Sequence, residues 1–541
     1  MAATDSPARA KAASCLLLAA LLSGAAAAPA KAQDVQARPG AAAVPAQNLK
    51  LFIYDSGGKL MDLKEFLSFT GRADRSSLPG QSGPAMMVYG IDGLSGQKPR
   101  LTQSGPWLGL SWTGAPRISI ALAWPVPGDG FSTALADNGG AGFGSGDAVY
   151  LNEEIAFTEY RLFRDAWFRH TDSMRPPYKP SRKAKRLEAE ADKFVLKAKA
   201  AKSGASRAAE ADKALRATAL AWQQMLFEHG LQIAADSSRK KSLRFGVTLD
   251  ASVLNRLPDY RKTIATLKDA GVNWVRLVFA LNPADFAYSQ ADSFDTYDAV
   301  VQALNRAGIK IMGCVLDSAS WPAGLTPQLY AARAKNLALH YEGLIPSWEI
   351  GNEINGNWLG GMKAPLSTDQ TFAIAQAAAA ALKGIDPRLE TVATLYWWGP
   401  TAPDFGHCLE GWLSHYVPLG FGQNLDAVAL SLEPEDNPVG LAFEPIFQKT
   451  AQFLPDKTLM IGDFEYGQQG RQRGYWWLDP GDIEGAREDL VSLYTPASCA
   501  AAPQSVCGGF FWYALEQMLP PGGRPTRLFR VYQDSLRSLG R

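Results

Sequence analysis

Two short segments of this 541-residue chain place carboxylates where acid–base chemistry could use them. The first is Trp348-Glu349-Ile350-Gly351-Asn352-Glu353-Ile354-Asn355, in which Glu353 directly follows an Asn at the end of an apolar run. The second is Ile461-Gly462-Asp463-Phe464-Glu465-Tyr466-Gly467, where Asp463 and Glu465 close another such run. Two carboxyl groups brought together from separate strands can cleave a glycosidic bond: one protonates the departing oxygen and the other attacks the anomeric carbon. Residues two apart on a strand share a face, so the attacking group stays open between Glu465, the preferred assignment, and Asp463. Aromatic residues accompany the acids, with Trp321, Trp358, Trp397, Trp398, Trp476, Trp477 and Trp512 at or just after the ends of apolar runs. Aromatic faces stack on the C–H patches of sugars while the indole N–H bonds a hydroxyl, so such a cluster fits a glycan cleft.

Holding these groups together requires a particular frame. Eight apolar, β-branched runs begin near residues 243 (LRFGVTL), 272 (VNWVRLVF), 309 (IKIMGCVL), 346 (PSWEIGN), 391 (TVATLYWW), 425 (LDAVALSL), 458 (TLMIGDFE) and 508 (GGFFWYAL). Amphipathic stretches separate them; in FDTYDAVVQALNRAG, Tyr297, Val300, Val301, Leu304 and Ala307 recur at helical spacing and form one buried stripe. Strand–helix–strand repeats demand right-handed parallel crossovers. Eight strands spaced by 29 to 50 residues across 243–541 predict an α/β fold of the (β/α)8 TIM barrel type. A doubly wound sheet would show fewer strands and a phosphate-binding first turn. Barrel active sites lie at the C-terminal strand ends, which is where Glu353 and Glu465 fall. Glu349, four residues earlier, is expected to bond inside the barrel, and Asp317, after the third run, to cap a helix.

On Asn352-Glu353 within W-E-I-G-N-E and on Glu465-Tyr466-Gly467, the chain resembles clan A, the retaining glycoside hydrolases built on (β/α)8 barrels, which includes cellulase-, xylosidase- and galactanase-like families. The resemblance covers about 300 residues and none of the N-terminal half. It implies cleavage of a β-linked oligo- or polysaccharide by double displacement, with Glu353 as acid/base and Glu465 as nucleophile. It further implies that Asn352 bonds the sugar 2-hydroxyl, that Arg276 orients the nucleophile and keeps it ionised, and that Trp512 is the innermost aromatic platform. A retaining pair should stand about 5–5.5 Å apart. Two features depart from the clan pattern. G-D-F at 462–464 can be laid on a G-E-F ending, which would make Asp463 the nucleophile. The sixth run ends in LSLEPEDNP where many members carry His or Tyr; Tyr466 or Tyr396 would then substitute, or Glu433 would alter the site. A barrel with reduced catalysis that binds glycan in polysaccharide assembly or export, or a transglycosylase, uses the same residues.

The rest of the chain sets the context. Fifty-four Lys+Arg against 53 Asp+Glu leave a net charge of +1, without the excess that a phosphate backbone demands, so nucleic acid is excluded as a partner. Residues 1–32 read as a signal peptide: Arg9 and Lys11 precede the apolar run CLLLAALLSGAAAA, and Ala30-Lys31-Ala32 offers a cleavage site. A periplasmic or secreted protein with no integral membrane segment is expected. In an oxidising compartment Cys499 and Cys507 could close the loop CAAAPQSVC in a disulfide. The histidines are scattered and none stands at ligand spacing from those cysteines, so no metal is expected, and the chemistry needs no cofactor. Residues 33–48 read as a linker, 49–152 as a β-rich accessory module, and 153–237 as a helical segment whose charged middle, 181–216, forms a projecting hairpin. GGAGFGSG (139–146) lacks the third glycine of a dinucleotide loop and reads as a flexible loop.

Overall fold

A computed structural model describes residues 46–70, 85–236, 242–251, 253, 260–281, 295–361, 363–466, 483–512, 514–520 and 524–540. The expected signal segment, nearly all of the linker, Gly467, Trp476 and Trp477 lie outside these residues.

Eight parallel strands close into a barrel, each bonded to the next and the eighth to the first. In order they are Leu243–Leu249, Trp274–Val278, Lys310–Cys314, Ser347–Gly351, Glu390–Tyr396, Ala427–Leu432, Thr458–Phe464 and Ser505–Phe511, one for each predicted run. The period-two alternation of a strand sorts their side chains by face. Outward residues such as Val275, Leu277, Ile350, Leu395 and Leu430 pack in the main core. Trp274, Met312, Val392, Ala429 and Met460 form a separate apolar cluster with Phe510. Two residues further along the same strands, the same face turns polar: Arg276, Cys314, Thr394 and Ser431, all buried. A dry plug thus carries a layer of chemistry.

Strand seven needs a glycine to join that layer. A Cβ on Gly462 would lie 2.7 Å from the Ala429 Cβ and 2.9 Å from the Thr394 hydroxyl. The strand bulges there, so that Leu430 pairs with Ile461 but Ser431 pairs with Asp463. The extra residue brings Asp463 level with Ser431.

The N-terminal module is two small sheets. One orders 100–104, 107–112, 47–52 and 148–150; the other orders 96–97, 86–90, 117–125 and 131–136, with 143–144 also on 117–125. The glycine-rich stretch is therefore a built turn carrying a short strand, Phe143–Gly144, and Asp137 caps Gly140 N–H. The second sheet braces the barrel: Lys98 Nζ bonds Pro400 O (2.7 Å), Thr133 Oγ1 bonds Pro438 O (2.6 Å), and Leu441 N–H bonds Ser132 Oγ (2.8 Å).

Helices Leu151–Phe168, Arg182–Ala200 and Gly204–Ala235 follow. The last does not project along its whole length. Its C-terminal half buries Trp222, Met225, His229 and Gly230, and a Cβ on Gly230 would meet the Pro496 carbonyl at 1.9 Å, so this helix lies backbone-close to the 483–501 helix. Cys499, near the end of that helix, is disulfide-bonded to Cys507 on strand eight, which makes the bridge a helix-to-strand link instead of a closure within a loop. Cys314 and Cys408 are free and buried. Among the described residues no helix is long and apolar enough to cross a membrane.

Candidate active site

Glu353 sits two residues beyond strand four with φ +51°, a left-handed conformation that costs a non-glycine residue of order 1–3 kcal/mol. Its neighbours hold it there. Ser318, in the short helical turn after strand three, donates its hydroxyl to Glu353 Oε2 at 2.8 Å. Ser431, in the polar layer of strand six, donates to Oε1 at 2.6 Å. Trp358 Nε1–H donates in turn to Ser318 Oγ at 3.0 Å. Asn355 ties the turn to strand five, accepting Tyr396 N–H (2.7 Å) and donating to the Tyr396 and His407 carbonyls (3.0 and 2.9 Å).

Burial governs the charge of Glu353. Only 8% exposed, its carboxyl is pushed up to about 7 by desolvation, with Asp317 adding repulsion while the two serine hydroxyls and Arg276 pull the other way. A carboxyl titrating near neutrality can deliver a proton and take one back.

Arg276 anchors the layer beneath. Fully buried on strand two, it donates Nε–H to Glu349 Oε2 at 2.8 Å, and its Nη1 lies 3.7 Å from Asp463 Oδ2. Glu349, whose other oxygen accepts the Thr394 hydroxyl, thus bonds inside the barrel as expected. Arg276 is closest to Glu349 and touches Asp463 more loosely. Burial also pushes the Asp463 carboxyl well above the ordinary range; Arg276 opposes this, while Glu353 and Glu349 reinforce it. Glu465 follows strand seven, 6% exposed, with its N–H on Leu432 O (3.3 Å). Asp317 caps Ala319 N–H, as the sequence suggested.

The serine residues holding Glu353 were not assigned from sequence, whereas Glu433 was named there as a residue that would alter the site. Glu433, just past strand six, is raised by burial and then by the charges of Glu465 and Glu353, which places it with the acids. Tyr396 Oη lies 3.5 Å from Glu433 Oε2 and accepts Asn437 Nδ2–H at 2.7 Å, and Thr401 hydrogen-bonds Asn437 Oδ1. The strand-six ending LSLEPEDNP thus supplies Ser431, Glu433 and Asn437 together.

The aromatic residues divide. Trp358, Tyr396 and Trp398 form one cluster, with ring centroids 5.1 to 5.6 Å apart. Trp321, Trp397 and Tyr466 are buried at 2%, 2% and 3% exposure and belong to the main core. Trp398 and Tyr396 are also buried, packed against Met87, Tyr89 and Ala121 of the N-terminal sheet. Trp512 is half-buried and lies over the Arg276 guanidinium, 5.0 Å from ring centroid to Cζ. Trp358 and Trp512 are the two of these tryptophans that stay only half-buried.

Three buried polar atoms of this region have no hydrogen-bond partner among the described residues: Asn352 Nδ2, Arg276 Nη1 and Asp463 Oδ1. Asn352 Oδ1 accepts Ser318 N–H at 3.0 Å, which orients the side chain and leaves its amide N–H free to donate. Among the described residues no group of three or more His, Cys, Asp or Glu could hold a metal ion.

No protein-family model and no curated protein matches the chain. Solved structures do. The chain is similar to a GH53 catalytic domain from Ignisphaera aggregans (17% identity, TM-score 0.40), covering 55% of this chain and 96% of that one. It is also similar to a GH10 endoxylanase retrieved from a sugarcane soil metagenome (12%, 0.41; 55% and 98%) and to a family 1 β-glucosidase from Thermotoga maritima (11%, 0.40; 56% and 98%).

Proposed function

We propose that the protein is a retaining glycoside hydrolase acting on a β-linked oligo- or polysaccharide, and that residues 1–32 direct it to the periplasm or out of the cell. The observation that carries the reading is Glu353, a buried carboxyl titrating near 7, strained into place by two serines and set among acids from strands six and seven. Protonated Glu353 donates to the leaving glycosidic oxygen while a strand-seven carboxylate attacks the anomeric carbon and forms a glycosyl-enzyme ester. Glu353, now ionised, takes a proton from water; the hydroxide displaces the ester and restores both carboxyl groups. Glu465, in the acid-aromatic-Gly ending Glu465-Tyr466-Gly467, is the preferred nucleophile, with Asp463 as the alternative. Asn352 Nδ2–H and the half-buried rings of Trp358 and Trp512 are the groups offered to sugar.

Hydrolysis of 4-nitrophenyl β-glucoside, β-xyloside and β-galactoside and of β-linked polysaccharides tests the reading, with anomeric NMR of the first product. Retained configuration is expected, with activity lost in both Glu353→Gln and Glu465→Gln. An inverted product overturns retention. Undiminished hydrolysis by Glu353→Gln overturns the acid/base role. If Asp463→Asn abolishes turnover while Glu465→Gln spares it, the nucleophile is Asp463.

A further inference from the structure

A cavity of about 340 Å³ lies between the N-terminal sheet and the barrel, within the range of small-molecule sites. None of Glu353, Glu433, Asp463 and Glu465 lines it. Its walls are largely aliphatic, from Leu135 and Leu162 on one side to Leu441 and Ile446 on the other, and Ile91, 56% exposed, stands at its edge.

Five acidic or basic side chains of unequal satisfaction line it. Asp137 is ion-paired with Arg161. Glu159, buried and pushed up to about 8, accepts Leu135 N–H at 2.6 Å. Asp92, in the turn at the edge, accepts Leu94 N–H at 3.0 Å. Glu410 and Lys449 are different. Glu410 Oε2 is buried with no hydrogen-bond partner among the described residues. Lys449, half-buried on the Phe443–Phe453 helix, makes no ion pair among them, its ammonium lying 5.5 Å from the Phe453 ring centroid. The Lys449 charge reaches Glu410, yet the two do not close on each other. The Glu410 carboxyl is raised by burial and hydrogen-bonded to its own backbone and to Cys408, so what stays open on the wall is its Oε2 together with the half-buried Lys449 ammonium, a pair that a ligand carrying both charges can satisfy.

A single ligand class answers both charges and the aliphatic walls. We propose that this cavity binds a free apolar α-amino acid, its carboxylate on Lys449 Nζ, its ammonium on Glu410 Oε2 and its side chain among Leu135, Leu162, Leu441 and Ile446. This inference does not depend on the hydrolase reading, since neither glycan nor Glu353 takes part.

Calorimetric titration of the full chain with L-leucine and L-phenylalanine tests it. Both are expected to bind. N-acetyl-L-leucine, without the ammonium, and L-leucinamide, without the carboxylate, should each bind about tenfold more weakly or worse, the scale of one lost charge contact of about 1.4 kcal/mol. Glu410→Gln and Lys449→Gln should weaken L-leucine to a similar extent. No heat from either amino acid at millimolar concentration overturns the proposal, as does equal binding of L-leucine and N-acetyl-L-leucine. The analogue series uses the unaltered chain, so the outcome stands even if a variant fails to fold.

Discussion

Glu353 at the barrel mouth and Glu444 at the helical seam are both buried glutamates, and they titrate in opposite directions. Glu444 is fully buried at the start of the Phe443–Phe453 helix. It receives Trp222 Nε1–H at 2.7 Å, His170 Nε2 at 3.0 Å and the Arg169 guanidinium, while His170 Nδ1 meets His229 Nδ1 at 2.7 Å. Burial alone would raise its carboxyl, but His170 and Arg169 hold it down to about 2. Glu353 has hydroxyls where Glu444 has cationic and ring N–H partners, and so rises to about 7. Burial sets the stakes, and the partner chemistry decides the sign. A fully compensated charge is structural; one left uncompensated can exchange protons.

The contrast predicts opposite failures. Glu353→Gln should fold and lose about 10²–10⁴-fold in turnover, the range for general acid–base catalysis. Glu444→Gln should keep its turnover per folded molecule and lose about 3–5 kcal/mol in urea unfolding, since it strands buried partners. If Glu444→Gln cut turnover at unchanged stability, the division would collapse.

Smaller effects sharpen it. The Ser431 hydroxyl lowers the Glu353 carboxyl, so Ser431→Ala should raise it and move the alkaline limb of the pH–rate profile upward by up to about one pH unit, the worth of one neutral hydrogen bond. A limb that moved down would mean that Glu353 is not the acid. Stability against pH should show both signs. Glu353 is raised in the fold, so its contribution is complete below the ordinary value of 4.5 and is lost as pH climbs through about 7. Glu444 is lowered, so its contribution is present above 4.5 and fades as pH falls toward about 2. Unfolding free energies of Glu353→Gln should therefore flatten the alkaline side only, and those of Glu444→Gln the acid side only.

Much of the frame was legible in local order. All eight strands announced themselves as β-branched apolar runs bounded by helical stretches, and Glu353, Asp463 and Glu465 stood at run ends. Ser318 and Ser431 were not legible, because a serine in S-A-S or L-S-L looks like any other until the fold brings it to a carboxylate 35 or 78 residues away. Nor could spacing show that Trp321 and Trp397 are core while Trp358 and Trp512 stay half-buried, since exposure depends on what packs from elsewhere in the chain.

By itself the sequence determined the barrel, through periodicities of two and 3.6 that are properties of neighbouring residues, and the acids placed at its strand ends. The tertiary structure alone decided what those acids are. Proton affinity depends on desolvation and on partners within a few ångströms, and those partners are assembled from distant segments: Ser431 for Glu353, Arg276 for Glu349 and Asp463, and Arg169 and His170 for Glu444.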